Sequence, residues 1–225
     1  MGRKAMELPY TLKIDRWETP ATKYPLTKVG VAEISRRRQG RGVYRMEGVC
    51  GYAFYQVTNP IEVTNLKIGG QVVMLDDPLH WLGMKELAKH SKGKVLVGGL
   101  GLGLIVHALI ENEVVTDIDV VEINPDVIKL ITPLLPLSEK LHIENYDVMA
   151  VSPEKDYNTV ILDLWVKAEK EPGTTIFNQM VIAFATFKRL YPTANVFIWG
   201  IGDASINPSI DPEVRKLIPK DYWRG

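Results

Sequence analysis

The chain has 225 residues, and its 27 Lys plus Arg are balanced by 27 Asp plus Glu. That length suits one large α/β domain with a small extension, and zero net charge supplies no global field to draw in nucleic acid or an anionic membrane. The lone cysteine, Cys50, excludes an intrachain disulfide, and it and the scattered histidines offer no metal-ligand spacing, so no metal is expected.

The start, Met1-Gly2-Arg3-Lys4, lacks the apolar core of a signal peptide, and Met6 breaks the myristoylation pattern. The apolar run 95–110 is too short to span a bilayer and is interrupted by glycines. A cytoplasmic protein without a membrane partner is therefore expected.

In chain order, residues 10–14 alternate as a strand does. Segments 29–35 and 43–46 read as strands flanking a polar stretch. Its Arg36, Arg37, Arg38 and Arg41 would then lie on a hairpin tip. A solvated turn is the favoured reading of this patch. Contact with phosphate or nucleic acid is the alternative, kept open by Tyr44 nearby. Segments 52–57, 61–66 and 72–75 read as further strands, broken at Asn59-Pro60 and Gly69-Gly70. Residues 1–77 are thus expected to form a small antiparallel β extension.

From Pro78 the pattern turns helical to about residue 91, with Asp77-Pro78 as the start signal and Leu79, Leu82, Leu87 and Ala88 on one face. Strand and helix then alternate: strand 94–98, helix 101–112, strand 117–123, helix 125–135 opened by Asn124 and Pro125, strand 141–144, strand 157–163, helix 174–190 and strand 194–201. Strands rich in Val, Ile and Leu between helices predict a doubly wound, mostly parallel sheet covered on both faces, a Rossmann-like domain over 78–225. Right-handed crossovers place the carboxyl ends of its strands on one edge, where ligands bind. Residues 202–225 hold Pro208, Pro212 and Pro219 and do not read as two further strands, so a truncated sheet edge is expected.

One turn carries chemistry. Gly99-Leu100-Gly101-Leu102-Gly103 follows Val95-Leu96-Val97 and leads into a helix, so its backbone can approach an anion closely. Glu122 ends the next strand, where a carboxylate meets ribose hydroxyls. A dinucleotide fingerprint needs a third glycine at Leu104 or Val106, and a P-loop needs Gly-Lys-Ser/Thr; both are missing. The G-x-G-x-G spacing suits a smaller anion, such as a carboxylate.

Val95 to Gly103, then Val120-Val121-Glu122-Ile123-Asn124-Pro125, Asn145-Tyr146-Asp147 and Val160-Ile161-Leu162-Asp163, resemble the successive motifs of class I S-adenosylmethionine-dependent methyltransferases. The nearest resemblance within that superfamily is to spermidine synthases, which also carry an N-terminal β extension and a helix leading into the glycine strand. Gly69-Gly70-Gln71 through Asp77 to Trp81 and Met84 is similar to their corresponding segment. The resemblance implies that Gly99, Gly101 and Gly103 approach the methionine part and that Glu122 binds the ribose. It implies that Asp147 and the Val148 N–H meet the adenine, and that Asp163 stands at the reacting centre. Gln71, and Trp165 on the loop after Asp163, would face the substrate. Two acids of that branch are absent: Gly101 stands in place of one and Val166 of the other. Their loss argues against a polyamine, and an uncharged loop tolerates the intact carboxylate of S-adenosylmethionine better than an acidic one would.

Each residue also has a plain structural reading. Glu122 would cap the next helix, Asp147 would belong to a turn, and Trp165 would cover the sheet edge. Cys50, Tyr55 and Trp81 would be core, and His80 and His107 satisfied structural residues. No Ser-His-Asp or Cys-His arrangement is legible. Three functions are therefore expected to compete. One is methyl transfer from S-adenosylmethionine to a small-molecule acceptor. Another is aminopropyl transfer from decarboxylated S-adenosylmethionine. The third is a non-catalytic binding or assembly role, with the sheet edge as a homodimer surface.

Overall fold

The computed structural model describes residues 11–14, 16–48, 51–151, 155–164 and 176–199. Seven strands come first: β1 Thr11–Ile14, β2 Lys28–Val29, β3 Ala32–Gln39, β4 Gly42–Gly48, β5 Gly51–Val57, β6 Ile61–Ile68 and β7 Gln71–Leu75. They form two sheets, ordered β2-β3-β6-β7 and β1-β5-β4. The first is antiparallel, but β1 pairs parallel with β5, so the extension is not wholly antiparallel as expected.

The arginine stretch is not a hairpin tip. β3 runs straight through it and pairs with β6, setting Arg36 opposite Thr64 and Arg38 opposite Glu62. The chain turns only at Gly40 and Arg41, and β4 leaves for the other sheet. Ala32 and Ile34 are buried on one face of β3, and Gln39, on the other face, is buried with its amide donating to the Tyr55 hydroxyl. The Arg36 guanidinium donates to the carbonyls of Thr22 and Tyr24, while Arg37 and Arg38 are exposed.

The second half holds α1 Pro78–Lys89, β8 Gly93–Gly98, α2 Leu104–Ile110, β9 Val115–Val121, α3 Pro125–Ile131, β10 Leu141–Glu144, β11 Thr159–Leu162, α4 Ile176–Leu190 and β12 Asn195–Ile198. The five strands make one all-parallel sheet ordered β10-β9-β8-β11-β12. This is the expected Rossmann-like α/β fold. The strand order reverses between β8 and β11, and that reversal opens a crevice at the carboxyl edge.

Asn124 caps α3 as expected, accepting from the Asp126 N–H at 2.9 Å. The helix expected over 101–112 is shorter, because Gly101 and Gly103 have φ of +53° and +72° and keep the chain turning until Leu104. Strand 117–123 is shifted to Val115–Val121, so Glu122 and Ile123 lie just past its end.

Alternate residues of β8 face opposite cores. Val95 and Val97 join α1, α2 and α3 in the main cluster, while Leu96 meets Phe184 and Phe187 of α4. The main cluster also takes in Ala21, Tyr24, Ala32, Ile34 and Leu66, so the antiparallel sheet shares its core with the α/β part. Buried Asp76 ties the N-terminal arm to β6, accepting from the Thr19 hydroxyl at 2.6 Å and the Thr64 N–H at 2.5 Å. Burial raises its carboxyl above the ordinary value. Cys50, Trp165, Val166 and residues 202–225 lie outside the described residues, as does the proposed strand beyond Trp199.

Candidate functional site

At the carboxyl edge, around the strand-order reversal, lies a cleft of about 950 Å³. The glycine loop forms its floor, the ends of β9 and β11 its flanks, and β7 one wall. Gly99, Gly101, Glu122, Asp147, Val148 and Asp163 all line it. Gly103 does not, and Gln71 is exposed at the start of β7, away from the lining.

The structure gives each loop glycine a packing reason. A Cβ on Gly99 would lie 2.5 Å from the Asp163 carbonyl oxygen, so this glycine lets the ends of β8 and β11 meet. On Gly101 it would lie 2.4 Å from the Met74 sulfur, and on Gly103 2.4 Å from Leu135. The positive φ at all three adds strain for any side chain.

Glu122 is buried and fully engaged in shaping the loop. One carboxylate oxygen accepts from the Leu100 N–H and the other from the Asn124 N–H, both at 2.8 Å. The helix-capping reading is thus replaced by a clamp joining two turns across the crevice. Each oxygen retains a lone pair for a ligand hydroxyl. Asp147 caps the single helical turn Val148–Ala150 and accepts from the Met149 N–H at 2.9 Å. Val148 is buried against Gly98. The Asn145 side chain donates to the carbonyls of Glu122 and Ile123, fixing this turn beside the first.

The loop is also held from the N-terminal part. The Tyr24 hydroxyl lies 3.2 Å from the Leu102 carbonyl and 2.8 Å from His107 Nε2. Burial pushes the Tyr24 hydroxyl up and the His107 imidazole down, so both groups are neutral near pH 7. From β7, the Met74 sulfur accepts the Leu102 N–H at 3.0 Å.

Sequence reasoning assigned His80 to structure alone, but it lines the cleft. Its ring stacks on Trp199 at 4.6 Å, and its Nε2 lies 3.6 Å from Asp163 Oδ2. That nitrogen is buried and, among the described residues, has no hydrogen-bond partner. At 3.6 Å the imidazole and carboxylate face each other just beyond hydrogen-bond length, with no room for an atom between them. His107, by contrast, is satisfied by Tyr24 as expected. The rim adds the exposed apolar side chains of Ile123, Met149 and Ile182.

Electrostatically the cleft is one-sided. Its described lining holds the carboxylates of Glu122, Asp147 and Asp163 but no Lys or Arg. Against this described lining a pyrophosphate would meet repulsion, whereas a cationic or neutral nucleoside is tolerated. No group of His, Cys, Asp and Glu among the described residues is placed to hold a metal ion. No described helix is long and apolar enough to cross a membrane.

No protein-family model and no curated protein matches the chain. Among solved structures it is similar to DesVI of Streptomyces venezuelae, at 13% identity and a TM-score of 0.40, over 52% of this chain and 49% of that one. It is similar to S-adenosylmethionine-bound CalS10, an amino pentose methyltransferase from Micromonospora echinaspora, at 15% identity and 0.34, over 49% and 43%. It is similar to a dimethyladenosine transferase from Plasmodium falciparum, at 13% identity and 0.36, over 51% and 39%. In all three cases the match spans less than two thirds of the other protein's length. At this level of overlap the likenesses assign no function.

Proposed function

We propose that the cleft binds S-adenosylmethionine and that the chain transfers its methyl group to a small-molecule acceptor. The observation that carries this reading is the acid-only lining around a glycine loop at the strand-order reversal. Glu122, Asp147 and Asp163 meet there without a basic side chain among the described lining residues. A sulfonium nucleoside is the common adenosyl ligand whose charge suits such a cleft, and the cleft has the volume of a ligand pocket.

Glu122 would receive the ribose hydroxyls on its free lone pairs, and Asp147 and the Val148 backbone would meet the adenine edge. Exposed Ile123 and Met149 would cover the faces of the base. Bound there, the sulfonium would supply an activated methyl group and a neutral thioether leaving group. The chain's own contribution is then largely to hold the acceptor in line, because proximity supplies much of the rate. Asp163, partly exposed in the cleft with His80 beside it, could receive the proton of an acceptor hydroxyl or amine. The apolar rim favours an acceptor with a hydrophobic body.

Titration calorimetry of the full chain with S-adenosylmethionine tests the reading. Saturable binding is expected, and absence of binding at millimolar ligand would sink it in favour of a non-catalytic binding or assembly role. Formation of an aminopropylated product from the decarboxylated form would favour aminopropyl transfer instead.

A further inference from the structure

The loop's N–H groups are mostly committed within the chain. Gly99 donates to the Val121 carbonyl and Gly103 to the Leu100 carbonyl, both at 2.8 Å, and Leu100 donates to Glu122. The first continues the sheet, the second closes the turn, and the third is strengthened by the acceptor's charge. The contact made by the Leu102 N–H differs in kind. Leu102 donates at 3.0 Å to the Met74 thioether, a weak acceptor on a side chain with three rotatable bonds. The same sulfur occupies the space over Gly101 that the missing Cβ leaves. Met74 is half-buried in the cleft wall, at the edge of the main core cluster. No Lys or Arg lines the described cleft to hold a ligand carboxylate by another route.

We propose that Met74 is a specificity-determining residue. Its thioether holds the Leu102 N–H where a ligand's carboxylate would bind. The cleft therefore takes a nucleoside thioether without an amino-acid tail more readily than the intact sulfonium amino acid. This rests on the adenosyl reading of the cleft. A tail carboxylate that takes the Leu102 N–H must displace Met74, and a tailless ligand need not.

The test is titration calorimetry on the full chain, wild type, Met74→Ala and Met74→Val, with thermal denaturation confirming that each is folded. The valine variant suits a strand and does not reach the loop, so it serves where alanine loosens β7. The probes are S-adenosylmethionine and 5′-methylthioadenosine, which carries the nucleoside and sulfur but no tail. Both variants should bind S-adenosylmethionine about tenfold more tightly than wild type, because a carboxylate replaces a thioether without competition. Their affinity for 5′-methylthioadenosine should move by less than about threefold, since no contact to the tail is involved. Unchanged affinity for S-adenosylmethionine, or an equal gain for both probes, overturns the role of Met74. If none of the three proteins binds either probe at millimolar concentration, the adenosyl reading itself fails.

Discussion

Replacing Glu122 with alanine should cost the protein stability whether or not any ligand is bound. The side chain is buried, and its two oxygens each accept one backbone N–H, from Leu100 and Asn124, at 2.8 Å. Alanine leaves both donors without their acceptor, the Leu100 N–H buried and the Asn124 N–H part-buried at the cleft. The orphaned buried donor costs about 1–3 kcal/mol and the part-buried one, which cleft water can reach, less than about 1 kcal/mol, so the pair costs about 1–4 kcal/mol. For a chain of this size that lowers Tm by roughly 2–16 °C. Glu122→Gln keeps one acceptor oxygen but turns its amide against the other donor, and should fall about midway. Circular dichroism melts of the three proteins, without added ligand, measure the effect. If Glu122→Ala melts with the wild type, the carboxylate does not hold the loop. It would then be a ligand group alone, and the geometric account of the loop would be wrong.

Two further outcomes follow from the same structure. Gly103→Ala should lose more stability than Gly69→Ala. Both positions have positive φ, but a Cβ at Gly103 meets Leu135 at 2.4 Å while Gly69 faces open space. The expected costs are about 2–4 and about 1 kcal/mol, read by urea denaturation. His107 should make stability pH-dependent. Burial holds its imidazole below the ordinary value, so the unfolded chain binds the proton more readily than the folded one. Its contribution is complete above the unfolded value of about 6.5 and is lost as pH falls toward the folded value. The stability gap between wild type and His107→Gln should therefore narrow between about pH 7.5 and pH 5. A gap that widens on acidification would contradict the neutral His107–Tyr24 pair.

Much of the cleft was legible because its signals are local. The strand-loop-helix pattern placed Gly99 and Gly101, strand ends placed Glu122 and Asp163, and the motif resemblance placed Asp147. Gly103 shows the limit of that logic. A spacing says that a backbone needs glycine, but only the packing says that Leu135, and no ligand, fills the space. The arginine stretch shows another. Four cations in a short polar run look like a turn, yet pairing with β6 holds Arg36, Arg37 and Arg38 in a strand whose neighbours carry the buried side chains. His80 was invisible as a site residue because the residue facing it, Asp163, lies far along the chain.

By itself, then, the sequence determined the α/β class, the cap at Asn124, the glycine loop and the acids that border it. Helix and strand periodicity, capping and glycine backbones are all short-range effects, written within a few neighbouring residues. Only the tertiary structure decided that β3 pairs with β6, that Glu122 spends its lone pairs on two backbone donors, that Met74 stands over Gly101, and that His80 faces Asp163. Those contacts join segments distant in sequence. Their partners are chosen by which apolar faces bury together and which polar atoms are left needing one another, and no local pattern carries that information.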